Sequence, residues 1–191
     1  MQTPQVFKPI PAGSMPGDQS VEIFGDRTSK EVFYFKDGQT HKFETLPQTY
    51  KTQLLKRLLS DKIAMKQLGH LGYTEALKRF AFCHYGSIDN IADFCKDGKL
   101  GQSDNFRCGE NCTCLKWQSK NITTEDGQRI TPRQLQIIDL LRKGLPDKQI
   151  AHILGICIST VDNHKTAIMH KLKAYSKVDI ITKSINQNII N

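Results

Sequence analysis

The chain has 191 residues, 38% of them hydrophobic and 24% charged, enough for one moderate core or two small ones. No run approaches the roughly 18 apolar residues of a membrane span, which excludes an integral helical membrane protein. The formal charge of +8 is concentrated at one end: from Gln128 onward ten Lys or Arg face four Asp, a net +6, while the first 127 residues hold seventeen basic and fifteen acidic side chains. A small basic unit of this kind suits a polyanionic partner, nucleic acid ahead of an anionic membrane.

The opening MQTPQVFKPIPAGSMPGDQS carries four of the seven prolines and no apolar stretch of the signal-peptide kind. Residues 1–25 therefore read as a disordered tail and the cytoplasm as the expected compartment. Next, EVFYFKDGQTHKF places two β-rich runs around Asp37-Gly38, a hairpin signal. In TYKTQLLKRLLSDKIAMKQL, Leu54, Leu55, Leu58, Leu59 and Ile63 recur at helical spacing between lysines, predicting one or two amphipathic helices. A further helix is expected over TEALKRFAFCHY and a short one over NIADFC. A polar loop follows, then a dense cysteine group from Cys108 to Trp117, and QSKNITTEDGQR, residues 118–129, reads as a linker.

Beyond Ile130 the punctuation sharpens. Thr131-Pro132-Arg133-Gln134 combines a capping hydroxyl with proline at the first helical position. Leu135, Ile138 and Leu141 share a face of the helix that follows, and Gly144 and Pro146 end it. A second helix is predicted over Asp147–Leu154, burying Ile150, Ala151 and Leu154 and stopped by Gly155. A third spans ICISTVDNHKTAIMHKLK, and a fourth, Lys177–Ile189, carries Val178, Ile181, Ile185 and Ile189. Short helices joined by tight glycine turns make a helix-turn-helix plan. On a helical wheel the third helix turns Ile158, Val161, Ile168 and Leu172 to one side and Ser159, Asp162, Asn163, Thr166, His170 and Lys173 to the other. Amide, hydroxyl and carboxylate groups on that outer side match base edges better than they match the Glu–Lys ladder of a solvated face.

Thr131-Pro132-Arg133, Gly144, Lys148-Gln149-Ile150-Ala151, Leu154-Gly155-Ile156, Thr160-Val161 with His164, and Lys171-Leu172 together resemble the C-terminal DNA-binding domain of the LuxR/NarL/GerE family of bacterial transcription factors. Region 4 of sigma factors has the same four-helix unit, but the polymerase-binding region that accompanies it there is not visible here. The resemblance implies a dimer, with the third helix in the major groove and the fourth at or near the dimer contact. It assigns Asp162, Asn163 and Thr166, with Ser159 close by, to the groove, and Lys148, Lys165 and Lys171 to the phosphate backbone; His170 joins the expected DNA-binding residues from its place on the outer side of the third helix. His164 reads as a half-buried packing residue. Two positions depart from the family. Asp162 stands where Lys is common, and a carboxylate accepts only from a donor such as cytosine N4. Cys157 stands where a Ser N-cap is usual, and a thiol caps poorly.

Five of the six cysteines lie between positions 83 and 114, the last three as C-x3-C-x-C. In a cytosolic chain such grouping points to metal or redox chemistry, because disulfides are disfavoured there. Zinc held by Cys108, Cys112, Cys114 and Cys83 is the expected cofactor, with an iron–sulfur cluster or reactive thiols as alternatives. The fourth ligand lies between Cys83, at the end of a helix, and Cys95, which follows Ile91 at i+4 and reads as a buried thiol. A Cys83–His84 nucleophile is not expected, because neighbouring residues on a helix point apart.

The reading is of a mainly α protein. An α-rich N-terminal domain, residues 26–117, carries a small β-hairpin and a cysteine metal site, and a tetrahelical helix-turn-helix domain occupies residues 130–191. The expected function is sequence-specific DNA binding in transcription regulation without enzymatic activity, the partners being double-stranded DNA, a second copy and RNA polymerase, with no membrane. A metal-stabilised protein-interaction adaptor and a thiol redox switch are the rival readings. On this division the metal stabilises the front domain, and a 128–191 fragment folds alone.

Overall fold

In a computed structural model, which describes residues 10–109 and 112–190, the expected hairpin forms and gains a third strand. Strands β1 (Glu22–Gly25), β2 (Val32–Lys36) and β3 (Gln39–Lys42) make an antiparallel meander. Lys36 pairs with Gln39 across Asp37 (φ 51°) and Gly38 (φ 74°), a two-residue turn with the doubly positive φ that matches strand twist. Ile23, Val32 and Tyr34 are buried on one face of the sheet. Gly25 lets the sheet close on the helix that carries Phe82: a Cβ there would lie 2.4 Å from the Phe82 ring.

Three helices complete this first unit, which runs through Ser103: α1 (Gln48–Ser60), α2 (Lys62–Leu68) and α3 (Tyr73–Tyr85). The predicted amphipathic stretch is two helices because Asp61 breaks it. The Asp61 carboxylate accepts from the backbone N–H of Ile63 (3.1 Å) and Ala64 (2.9 Å), capping α2.

Two expectations fail in this unit. Within the supposed tail, Val21 and Ile23 are fully buried and β1 pairs with β2; the prolines upstream obscured a four-residue strand, and residues 1–9 lie outside the described residues. NIADFC is not a helix. Phe94 instead exchanges backbone hydrogen bonds with Val21 (2.9 and 3.0 Å), and the Asp93 carboxylate accepts from the N–H of Ile23 at 2.7 Å. The segment works as a strap along β1, and it leaves Cys95 exposed rather than buried.

The second unit begins at Asp104, so the division lies upstream of the expected linker. β4 (Ile122–Thr123) and β5 (Arg129–Ile130) pair, and Ile122 and Ile130 stand opposite each other in the core. Lys120, nearly fully buried, donates to the carbonyl of Asp104 at 2.9 Å. The stretch read as a linker is polar, but its one isoleucine is a core residue. Leu115 and Trp117 are buried as well, so the cysteine segment belongs to this unit and not to the front one.

Helices α4 (Pro132–Arg142), α5 (Asp147–Leu154), α6 (Ile158–Leu172) and α7 (Lys177–Asn186) follow. The start of α4 is a full capping box: Gln134 N–H donates to Thr131 Oγ1 (3.2 Å), and Thr131 N–H donates to Gln134 Oε1 (3.0 Å). Leu135, Ile138 and Leu141 are buried as predicted. The inward stripe of α7 differs from the predicted one: Ile180 and Ser184 are buried, while Val178 (72%) and Ile185 (46%) face solvent. Ser176 caps α7 through the N–H of Asp179, and the chain turns back after it so that Ile189 and Ile190 close the core. Ile158, in the first turn of α6, is also exposed. Among the described residues no helix is long and apolar enough to cross a membrane.

One buried ion pair ties the cysteine segment to the helices. Arg107 donates from Nη1 to Asp139 Oδ1 (3.0 Å) and from Nη2 to Asp139 Oδ2 (2.6 Å), with both side chains buried. Removing one partner of such a pair costs about 3–5 kcal/mol, because the other is left charged and desolvated. A 104–191 fragment is therefore expected to melt cooperatively. A 128–191 fragment, which lacks Arg107, Leu115 and Ile122, is expected to be largely unfolded, and Arg107→Met in the longer fragment to lose several kcal/mol. Circular dichroism melts of the three proteins check this; equal midpoints for the two fragments would contradict it.

Candidate nucleic-acid interface

The second and third helices of the C-terminal unit meet at a turn that only a special backbone allows. Gly155 ends α5 at φ 63°, in the left-handed region that glycine enters without a Cβ penalty. The N–H of Ile156 returns to Ala151 O at 3.0 Å. Two residues later Cys157, with φ −77° and ψ 156°, is the N-cap of α6. Val161, Ile168 and Leu172 are buried on one side of α6, which seats the helix on α4 and α5. Its outer side displays Ser159, Asp162, Asn163, Thr166 and His170, all exposed, with His164 half-buried at the seam. The predicted outer face is thus one continuous surface.

The basic residues divide. Lys148 is exposed on the first turn of α5. Lys165 is mostly covered and engaged twice, to Asp147 at 2.7 Å and to Asp162 at 2.8 Å. Burial works against its charge, but the two carboxylates outweigh that and hold its pKa above the ordinary lysine value. Lys171 donates to the carbonyl of Arg129 (2.6 Å) and to Gln134 Oε1 (3.0 Å), bracing the start of α4 from within.

Asp147 was not singled out as a site residue in the sequence, where it marked only the start of α5. In the fold it gathers Lys165 and, at 3.0 Å, Lys177 of α7. These two lysines, Lys165 first, keep its carboxyl below the usual range. An acidic residue in a first helical turn is favourable in any case, so the sequence held no sign of this second role. Arg133 is the other omission: from α4 it reaches Gln136 Oε1 (3.2 Å) and the carbonyl of Leu154 (3.5 Å), beside the turn.

The predicted metal ligands occupy both units. Cys83 is buried in α3 of the first. Cys108, Cys112 and Cys114 lie in the second, where consecutive sulfurs approach to 2.9 and 2.7 Å.

Residues 128–184 match the family described as bacterial regulatory proteins, luxR family. Oxygen regulatory protein NreC of Staphylococcus carnosus (strain TM300) is 32% identical over 74 residues, 39% of this chain and 34% of that protein. The probable transcriptional regulator ycf29 of Pyropia yezoensis is 33% identical over 63 residues, 33% of this chain and 28% of that protein. NreC of Staphylococcus haemolyticus (strain JCSC1435) is 34% identical over 74 residues, 38% and 34% of the two chains. The chain thus spans about a third of the length of the curated relatives it matches. No solved structure matches it.

The cap of α6 is open to test. The Cys157 sulfur makes no cap hydrogen bond to the helix backbone; it sits 3.4 Å from the Ser159 hydroxyl and 2.9 Å from that of Thr160. These hydroxyls, Ser159 first, lower its pKa to about 7. The thiolate therefore grows in as pH rises through about 7. Alkylation of Cys157, followed by mass spectrometry, is expected to accelerate over that range and not one to two units higher, where an ordinary cysteine titrates. Cys157→Ser supplies a better acceptor to the first turn and is expected to raise the melting midpoint by a few degrees. A lower midpoint would show that the sulfur packs rather than caps.

Proposed function

Residues 128–184 being a domain of the luxR family of bacterial regulatory proteins, we propose that the chain is a sequence-specific DNA-binding regulator of transcription that lays α6 in the major groove. The observation that carries this reading is the outer face of α6. Ser159, Asp162, Asn163, Thr166 and His170 stand exposed on a helix whose other side is locked into a core. Asn163 and Thr166 present donors and acceptors to base edges. Asp162, already hydrogen-bonded by Lys165, has a second oxygen for a cytosine amino group. Lys148, exposed at the start of α5, takes a phosphate, while Lys165 and Lys171 hold the reading helix in place. The protein binds and does not catalyse, and its target puts it in the cytoplasm.

A homodimer through α7 belongs to the same reading. Val178 and Ile185 are exposed on α7, and Tyr175 just before it is 88% exposed. A second copy would cover this apolar face, and two α6 helices would then read two half-sites.

Asn163→Ala is expected to cost about 1–3 kcal/mol on the preferred sequence and to relax preference at one or two base pairs. Lys148→Ala is expected to weaken all sequences alike and to flatten the salt dependence by about one unit. Selection of bound sequences from random DNA, followed by titration at several salt concentrations, measures both. Unchanged specificity in the Asn163 variant would remove the helix from the groove. Replacing Val178 and Ile185 together with Lys is expected to leave the melting midpoint nearly unchanged and to yield a monomer by sedimentation; a wild-type chain that is itself monomeric at all concentrations would dispose of the dimer.

A further inference from the structure

Among its described residues the segment from Asp104 to Ile130 contains little regular structure: one short 3-10 turn, Thr113–Lys116, and two strands of two residues. It nevertheless braces the four helices at two places. Arg107 clamps Asp139 of α4. Asn105 donates to the carbonyls of Thr123 (2.6 Å) and of Gln187 (2.9 Å), the residue that ends α7, and accepts from the N–H of Thr123 (2.8 Å). The cysteine group follows these braces in the chain. Cys108 adjoins Arg107, Cys112 packs against the core, and Cys114 is buried beside the core residue Leu115.

The sulfurs of Cys108, Cys112 and Cys114 all lie within 4.8 Å of one another. Thiols are weak hydrogen-bond partners, and three of them turned toward one point stabilise a loop little by themselves. Three thiolates around a soft divalent ion stabilise it strongly, because the binding energy is then folding energy for the segment that holds the ion. Zinc–sulfur bonds of about 2.3 Å place ligand sulfurs roughly 3.8 Å apart, a small outward adjustment from the spacing here.

We propose that Cys108, Cys112 and Cys114 bind a thiophilic metal ion, zinc by donor chemistry, and that its occupancy sets the DNA affinity of the helix-turn-helix unit. The proposal rests on the DNA-binding reading above. The ion holds Cys108, Cys108 positions Arg107, and Arg107 neutralises Asp139 on α4, the helix against which α6 packs. Through Asn105 the same segment steadies the end of α7. Loss of the ion loosens both braces, and α6 is no longer presented in one orientation. The site is therefore part of the DNA-binding unit, not of the front unit to which the sequence reading assigned it. That reading gave the fourth zinc position to Cys83.

The test uses the full chain, purified under reducing conditions. Metal content is measured by mass spectrometry, and DNA affinity by anisotropy with a duplex selected from random sequence. Both are measured before chelation, after it, and after return of Zn2+ or Mg2+. Binding of about one zinc per chain is expected, with a loss of at least tenfold in affinity on stripping that Zn2+ reverses and Mg2+ does not. Co2+ in place of zinc is expected to give a sulfur-to-metal charge-transfer band that weakens in Cys112→Ser. A reduced chain that takes up neither Zn2+ nor Co2+ overturns the site. A stripped chain with full DNA affinity overturns the coupling while leaving the groove reading intact. Absence of DNA binding in both the loaded and the stripped chain overturns the groove reading, and the coupling with it.

Discussion

The C-terminal unit depends on one buried ion pair. Arg107 and Asp139 are both withdrawn from water, and desolvation on that scale costs several kcal/mol for each ion. Only a two-point fit offsets it, and the guanidinium supplies one, with its two Nη donors on the two oxygens of a single carboxylate. The pair imposes a condition on everything around it. Asp139 lies on the inward side of α4, so a chain lacking the segment that carries Arg107 leaves its carboxylate buried without the guanidinium. The cysteine segment is for that reason inseparable from the helices, and the chain divides before it instead of after it.

A second constraint is electrostatic. The C-terminal stretch carries a net +6 by composition, yet much of that charge is engaged by carboxylates and carbonyl oxygens. Asp147 takes up Lys165 and Lys177, Asp126 takes up Lys173 at 2.7 Å, and Lys171 is tied to carbonyl groups. Asp147 thereby links α5 to α6 and α7, while the Lys173–Asp126 pair lies exposed at the surface. What remains outward on α6 is mostly neutral and hydrogen-bonding, a composition suited to distinguishing one base pair from another rather than to attracting phosphate in general. In the proposed function such a unit would read with one helix and gain its electrostatic hold from a few flanking cations such as Lys148.

The elements that were legible in the sequence are those specified within a few residues. The Asp37-Gly38 turn, the Thr131–Gln134 capping box, the stop at Gly155 and the inward stripe of Val161, Ile168 and Leu172 each come from neighbours in the chain, and each is present in the fold. The outer face of α6 was legible for the same reason, since the helical period alone puts Asn163 and Thr166 together. Elsewhere the local pattern was silent or misleading. A proline-rich opening hid β1, a polar run hid Ile122, and of the four apolar residues expected along α7 Ile181 and Ile189 pack against the core while Val178 and Ile185 face solvent.

By itself, then, the sequence determined the helix-turn-helix, the exposed outer face of α6 and the grouping of three cysteines, because caps, glycines and short spacings act over one or two turns of chain. The tertiary structure alone decided which unit owns those cysteines, which lysines stay outward and which side of α7 is left uncovered. Arg107 finds Asp139 across 32 residues and Asn105 finds Gln187 across 82. Partners at such separations are chosen by the fit of the whole core, and no local pattern in the chain announces them.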